Sequence, residues 1–350
     1  MKTFLVALLV VSTAGCGLVS SRTADSSPAS EPAASKSKAA STATGKPSDA
    51  ATRSESPSPE PTETPTPTPT PTPKPSPKPT PKPTPATTSS SDGAFDPVWY
   101  PDWTKNGGRG EAQPWPSNWP KPRIVDATGD GALSGRIILV DPGHNLGNST
   151  HSSDINKHYW VGLDKICNTT GTETREGYAE ASYTYDVAQR LTELLTSEGA
   201  TVVLTRDRND EASYGPCIQA RGLLGEQVGA DIAVSIHADG GPVSGHGAFV
   251  YTPATLAGYT SADKAARSVR LAKRILAGLD GQGLGGSTYL VPNIAPDREQ
   301  GTLNTAGLPI VIVETLNMQN PDDSAIASSE EGRQRVAEGL AAGIAGYFSG

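Results

Sequence analysis

The stretch that decides the fold is Ile137-Ile138-Leu139-Val140-Asp141-Pro142-Gly143-His144. A short run of β-branched and aliphatic residues that ends in a polar turn is typical of a buried strand in an α/β sheet. Two further runs have this form. Residues 232–236 precede His237, and residues 310–313 precede Glu314. In open α/β sheets, ligands bind at the carboxyl ends of the strands. The pattern therefore predicts that His144, His237 and Glu314 lie at one edge of one sheet.

The C-terminal part of the chain alternates between strand and helix patterns. The strand candidates are residues 136–140, 201–205, 231–236, 247–251 and 310–314. Apolar residues recur at helical spacing in residues 179–198, 262–279 and 331–348. This alternation predicts a single α/β domain over residues 135–350, with helices covering both faces of its sheet. The irregular stretch 145–178 is predicted to be a functional insertion or lid.

The first residues have the features of an export signal. Lys2 precedes an apolar run over residues 4–11 that is too short to span a membrane. Thr13-Ala14-Gly15-Cys16 follows and resembles a bacterial lipobox. We predict a lipoprotein signal peptide over residues 1–15 and a lipid on Cys16, which would anchor the exported protein at the outer face of the cell membrane. The alternative is an ordinary secretory signal with an unmodified cysteine.

The cysteine count agrees with export. The chain has three cysteines, and an odd number in an exported protein needs an explanation. If Cys16 carries a lipid, Cys167 and Cys217 remain as a pair in an oxidising compartment. We therefore predict a disulfide between them. Zinc binding by either is less expected, because neither belongs to a CxxC pair.

Residues 16–94 form a Ser/Thr/Pro/Lys-rich segment with almost no large apolar side chains, so we predict a disordered linker. Within it, residues 57–85 alternate proline with polar residues, which favours a semi-rigid polyproline II stalk. A Pro-rich ligand for a partner domain is the alternative for this repeat. The formal net charge of −8 argues against nucleic-acid binding. We expect the protein to be a monomer.

Residues 95–134 are a Trp/Pro-rich segment that we predict to be extended. It contains four of the five tryptophans, namely Trp99, Trp103, Trp115 and Trp119. These indoles suggest either a surface that stacks on glycans or a segment that packs its indoles across the catalytic domain. We favour packing, because the segment is too short for a core of its own.

The two histidines suggest a hydrolytic metal site. Zinc hydrolases use three protein ligands and leave one position for water, which a nearby carboxylate deprotonates. His144 and His237 supply two nitrogen ligands. The third should be a carboxylate, and Glu180 at the start of the helix 179–198 is the best candidate. Glu173 and Glu176 in the preceding stretch are alternatives.

Five motifs occur in order along this part of the chain: Asp141-Pro142-Gly143-His144, Glu180 ahead of Val187-Ala188-Gln189-Arg190-Leu191, Leu204-Thr205-Arg206, Ser235-Ile236-His237-Ala238-Asp239, and Ile312-Val313-Glu314-Thr315. Together they resemble the zinc-dependent N-acetylmuramoyl-L-alanine amidases of the type-3 family, over roughly residues 135–348. One departure lies after Glu314, where Thr315-Leu316 replaces the Gly-Phe pair that is frequent in that family.

The resemblance implies a mixed sheet of about six strands. It also implies cleavage of the amide between the lactyl group of N-acetylmuramic acid and L-alanine in peptidoglycan. It implies Zn²⁺ as cofactor, with His144, Glu180 and His237 as ligands and Glu314 as the catalytic general acid/base.

The sequence offers further candidate residues and functions. Arg298 and Asn304 precede the strand of Glu314, and we predict that they contact substrate. Arg206 and Arg221 are expected to form structural ion pairs. Two other functions remain open: a zinc carboxypeptidase that trims stem peptides, and a non-catalytic protein that binds the cell envelope.

Overall fold

A computed structural model describes residues 95–350 of the chain. The signal peptide, Cys16 and the linker to residue 94 lie outside the described residues, so those predictions stay predictions. None of the helices within residues 95–350 is long and apolar enough to cross a membrane.

The described part contains eleven strands and seven α-helices. The strands are β1 (Val98–Trp99), β2 (Gln113–Pro114), β3 (Arg123–Val125), β4 (Ile137–Pro142), β5 (His158–Trp160), β6 (Asp164–Ile166), β7 (Thr201–Leu204), β8 (Ile232–Asp239), β9 (Phe249–Pro253), β10 (Ile294–Asp297) and β11 (Ile310–Asn317). The helices are α1 (Ser152–Ile155), α2 (Glu180–Ser197), α3 (Ile218–Gln227), α4 (Ala262–Gly281), α5 (Gly301–Thr305), α6 (Pro321–Ser328) and α7 (Glu330–Ser349). A 3₁₀ helix covers Leu146–Ser149.

The main sheet has the strand order β10-β9-β11-β8-β4-β7-β3. Its centre is parallel, since β4 pairs in parallel with β7 and β8, and β8 pairs in parallel with β11. The outer strands make the sheet mixed, because β9 is antiparallel to β11 and β3 is antiparallel to β7. The mixed α/β class is confirmed.

The sheet has seven strands rather than about six. Two of them, β3 and β10, were not among the strand candidates, and both lie at sheet edges. They are three and four residues long, which is too short for a clear hydrophobic pattern. Because β3 lies before residue 135, the sheet draws one edge strand from the Trp/Pro-rich segment.

The core lies on both faces of this sheet, as alternation along β4 requires. Ile138 and Val140 point into the larger cluster, which α2, α4 and α7 cover. Leu139 points to the other face, where it packs with Leu224 of α3 and Leu303 of α5. The expectation of helices on both faces is confirmed.

The Trp/Pro-rich segment packs against the domain through its indoles. Trp119 is buried and contacts Trp99, Trp115 and Tyr214 in edge-to-face geometry. These rings form a third cluster with the two cysteines. The indoles of this group therefore pack against the domain, as the favoured interpretation predicts.

Candidate metal centre

Three strand ends bring the predicted residues to one edge of the sheet. His144 follows the last residue of β4 by two positions, and His237 lies near the end of β8. Glu314 lies on β11 directly opposite His237 in the parallel pairing of the two strands. His144, His237 and Glu314 line the same cavity. The strand pattern alone predicted this convergence.

Glu180 joins the two histidines in one cluster. One ligand atom from each of His144, Glu180 and His237 lies within 4.8 Å of the others. Glu180 Oε2 is 3.2 Å from His144 Nε2, and Glu180 Oε1 is 3.0 Å from His237 Nδ1. The buried carboxylate also accepts hydrogen bonds from the backbone N–H groups of Thr172 and Ala238. Two imidazoles and one carboxylate form the donor set of a catalytic zinc site.

The three ionisable groups of this cluster shift one another's pKa values. Burial would raise the pKa of Glu180, but His144 and His237 hold it well below its usual value. Burial lowers the pKa of His237, which favours the neutral imidazole that binds metals. At His144 the effect of burial is outweighed by the Glu180 carboxylate, which raises the pKa of that imidazole.

A backbone carbonyl orients His144. Its Nδ1 lies 3.0 Å from Thr169 O, so Nε2 faces Glu180. A hydrogen bond of this kind fixes the tautomer and the ring plane of a metal-binding histidine. His144 also has a φ of 56°, a left-handed conformation that non-glycine residues rarely adopt. Strained backbone of this type concentrates at functional sites.

Two glycines leave room for the cluster. A Cβ on Gly143 would lie 2.3 Å from Cε1 of His237, so a side chain there is excluded. Gly171 has a φ of 82°, and a Cβ on it would lie 2.8 Å from Oε2 of Glu180. Both glycines are therefore required by the close approach of the loops that carry the ligand atoms.

Two buried arginines hold the turn between β4 and His144. Arg221 Nη1 donates to Asp141 Oδ1 at 2.6 Å and to Pro142 O at 2.8 Å, and its Nη2 donates to the carbonyl of His144 at 2.6 Å. Arg206 donates to the carbonyls of Pro142 and Gly143. The ion-pair prediction is confirmed for Arg221. Within residues 95–350, Arg206 binds backbone carbonyls and Asn209 rather than a carboxylate.

The environment of Glu314 suits a proton acceptor. The side chain is partly buried and lines a cavity with the three cluster residues. Burial raises the pKa of Glu314 well above its usual value, and the charges of Glu180 and Asp239 raise it further. A carboxylate of raised pKa accepts a proton more readily than an ordinary one, as general base catalysis requires.

The other predicted residues lie elsewhere. Glu173 and Glu176 are exposed and outside the cluster, so the geometry favours Glu180 as third ligand. Arg298 is exposed and lies 3.9 Å from Glu299. Asn304 is 1% exposed, and its amide donates to the carbonyls of Val161 and Arg298. This burial does not fit the predicted substrate contact of Asn304, and we withdraw it.

The predicted disulfide is present and lies close in sequence to Thr169, the residue whose carbonyl contacts His144. It joins Cys167, in the irregular stretch 145–178, to Cys217 at the start of α3. The neighbouring Asn168 donates its amide to Pro216 O at 2.8 Å, and Thr169 then offers its carbonyl to His144. Sequence reasoning found the bond but missed this link to the histidine, because a backbone acceptor has no residue-type signal.

The open space around the cluster has two parts that meet at His144 and His237. The Lys165 lobe, a cavity of about 320 Å³, extends along Lys165, Ile166, Ile218, Glu299 and Thr302. The Glu314 lobe, a cavity of about 360 Å³, extends along Gly171, Thr172, Asp239, Gly240 and Glu314. A substrate bound across the cluster would therefore have a different surface on each side of the reacting bond.

Comparison with known proteins gives consistent matches. A family model described as N-acetylmuramoyl-L-alanine amidase (Amidase_3) matches residues 138–346. The N-acetylmuramoyl-L-alanine amidase Rv3717 of Mycobacterium tuberculosis is 35% identical over 221 residues, covering 62% of this chain and 88% of that protein. The crystal structure of the N-acetylmuramyl-L-alanine amidase Ami1 from Mycobacterium smegmatis is similar, with a TM-score of 0.58 and 34% identity over 62% of this chain and 98% of that one. The crystal structure of apo Ami1 from Mycobacterium abscessus is also similar, with a TM-score of 0.57 and 36% sequence identity over 61% of this chain and 99% of that one.

Proposed function

The chain belongs to the N-acetylmuramoyl-L-alanine amidase family and is a peptidoglycan hydrolase, and from this premise we propose how its residues perform the reaction. His144, Glu180 and His237 bind a zinc ion, and Glu314 is the general acid/base. The observation that carries the proposal is the cluster of three ligand atoms within 4.8 Å of one another, beside a carboxylate on the adjoining strand.

A zinc ion at these ligands would lower the pKa of water and polarise the scissile carbonyl. Glu314 accepts a proton from the water that attacks the lactyl carbonyl. It then returns the proton to the nitrogen of L-alanine as the C–N bond breaks. Thr169 and the two arginines keep His144 in place during these steps, so the ligand geometry need not reorganise.

The residues fit zinc better than a hard cation. Magnesium and calcium prefer six or more oxygen ligands, whereas this cluster offers two nitrogens and one carboxylate. A non-catalytic envelope-binding protein would have no use for a partly buried carboxylate next to the cluster. Glu314 in that position supports the enzyme over the binding protein.

We also propose that the protein is exported and held at the outer face of the cell membrane by a lipid on Cys16, from which it reaches the cell wall. The Cys167–Cys217 bond supports an oxidising compartment. The Pro-rich linker would let the catalytic domain reach peptidoglycan at a distance from the lipid. We also propose that the protein works as a monomer, since His144, Glu180, His237 and Glu314 of one chain complete the proposed site.

Product analysis tests the reaction. The purified protein is incubated with peptidoglycan, with and without a chelator, and the products are identified by mass spectrometry. We expect free stem peptides that begin with L-alanine, their loss with chelator and their return with Zn²⁺. Shortened stems that remain attached to the sugar would instead identify a carboxypeptidase, and unchanged peptidoglycan with zinc bound would favour the binding protein.

A further inference from the structure

The Lys165 lobe contains a cation that the proposed chemistry does not use. Lys165 lies on β6, and its Nζ donates to Glu299 Oε2 at 2.6 Å. Both residues line the lobe, and the Lys165 side chain remains 27% exposed. An ammonium group has three donors, so the contact with Glu299 leaves others for a ligand.

The second cation of this lobe is not available to a ligand. Arg221 is 3% exposed, and its guanidinium is committed to Asp141 and to backbone carbonyls. Among the described residues that line the lobe, Lys165 is therefore the lysine or arginine that can meet a bound anion.

The Glu314 lobe differs from the Lys165 lobe, in which the carboxylates of Asp141 and Glu299 are paired with Arg221 and Lys165. Three carboxylates line it, from Glu180, Asp239 and Glu314, and its described lining includes neither lysine nor arginine. A negatively charged ligand group would be repelled there, whereas a neutral polar group would not. The two sides of the cluster thus differ in the charge that they accept.

The substrate in the proposed function has the same asymmetry. The scissile amide separates a neutral N-acetylated sugar from a peptide that carries carboxylates beyond its first residue. We propose that the Lys165 lobe receives the stem peptide and that Lys165 binds one of its carboxylates, while the sugar lies toward the Glu314 lobe. Glu299 is a positioning residue that holds the Lys165 ammonium group at the surface of the lobe. This inference rests on the proposed function.

The second residue of the stem offers the sharpest contrast. A glutamate that is linked through its side-chain carboxyl keeps a free α-carboxylate, and amidation removes that charge without changing its shape. A charged hydrogen bond to Lys165 would favour the acid over the amide. The preference for free acid over amide therefore reports the contact directly.

The experiment measures kcat/KM on N-acetylmuramoyl-L-alanyl-D-glutamate whose γ-carboxyl is capped as a methylamide (the acid), and on the same compound with its α-carboxyl amidated (the amide). Lys165→Met should lower kcat/KM on the acid about 10-fold, mainly through KM, and leave the amide within about two-fold. Lys165→Arg should recover part of the loss. Lys157→Met is the matched control, because Lys157 pairs with Asp154 at 2.6 Å in the same stretch but on an exposed surface. It should leave both values unchanged.

Equal losses on both substrates, or no loss on either, would overturn the assignment of Lys165. The wild-type protein tests the proposed function separately. If it fails to release peptides that begin with L-alanine from whole peptidoglycan, the proposed amidase reaction is wrong. If peptidoglycan is cleaved but these short substrates are not, calorimetry with L-alanyl-D-glutamate γ-methylamide and with its α-amide gives the same comparison. Wild-type protein that binds both peptides equally would then contradict the inference.

Discussion

Gly143 shows how single residues determine the geometry of the centre. It lies between the buried strand β4 and His144, and the ring of His237 occupies the space where its side chain would be. The Asp-Pro-Gly-His motif can thus be explained by packing as well as by turn formation. The glycine lets two histidines from different strands approach one carboxylate.

We predict that Gly143→Ala weakens zinc binding about 10- to 100-fold, because the new methyl group displaces His237. Titration with zinc against a competing chelator measures this affinity. Gly281→Ala is the control, since a Cβ at Gly281 meets nothing within 4 Å. Unchanged zinc affinity in Gly143→Ala would show that the histidine loops tolerate displacement.

Arg221 stabilises the folded protein, and it affects the reaction only indirectly, through the backbone of His144. We predict that Arg221→Met lowers the free energy of unfolding by about 3–5 kcal/mol, because Asp141 is left as an unpaired buried charge. Urea unfolding measures the loss. Arg267→Met, which breaks an exposed pair with Asp263, should cost less than about 1 kcal/mol. Equal costs would contradict a special role for the buried pair.

Residue types at strand ends were sufficient to predict His144, His237 and Glu314. The choice of Glu180 needed the family resemblance, because Glu173 and Glu176 have the same chemistry nearby. The carbonyl of Thr169 and the clamps by Arg206 and Arg221 were not predicted as parts of the site. They act through the backbone, and no sequence pattern reveals which carbonyl a buried arginine reaches.

At the scale of elements, long amphipathic segments were predictable and short or glycine-containing ones were not. The helices α2, α4 and α7 correspond to the three predicted helical ranges. Helix α3 was missed because Gly222 and Gly225 interrupt its apolar pattern. Both pack closely, since a Cβ on Gly222 would lie 2.3 Å from Thr305 Oγ1 and one on Gly225 would lie 2.7 Å from Leu308 Cδ2. Gly222, which interrupts the apolar pattern of the helix, also allows α3 to pack closely against α5.

The irregular stretch 145–178 is tied to α3 by the disulfide, which closes a loop with a sequence separation of 50. We predict that Cys167→Ser with Cys217→Ser lowers the free energy of unfolding by about 2–4 kcal/mol. Zinc affinity should also fall, because Thr169 is then less firmly held beside His144. Thermal unfolding and zinc titration measure the two effects.

Reductant provides the control for this prediction, since it should destabilise the wild-type protein by the same amount and leave the double variant unchanged. A double variant with reduced stability and unchanged zinc affinity would separate the disulfide from the metal centre. The role of the stretch as a lid stays a prediction.

At the scale of the whole molecule, the catalytic edge of the sheet combines elements from most of the described chain. The ligands come from β8, α2 and the turn after β4, and the carboxylate comes from β11. Composition predicts a linker before the folded part, and this stays a prediction because the linker lies outside the described residues. It did not predict that β3 would complete the sheet or that the tryptophans would cover the disulfide. Both depend on contacts between distant segments.

The roles of Glu314 and His237 are tested together when bound zinc and released stem peptide are measured on the same preparations of wild-type protein, Glu314→Gln and His237→Ala. We predict one zinc per chain in wild type and in Glu314→Gln, with peptide release lowered about 100- to 10,000-fold in the latter. His237→Ala should lose zinc. Near-full peptide release by Glu314→Gln, or retention of tightly bound zinc by His237→Ala, would contradict the assignment of these residues.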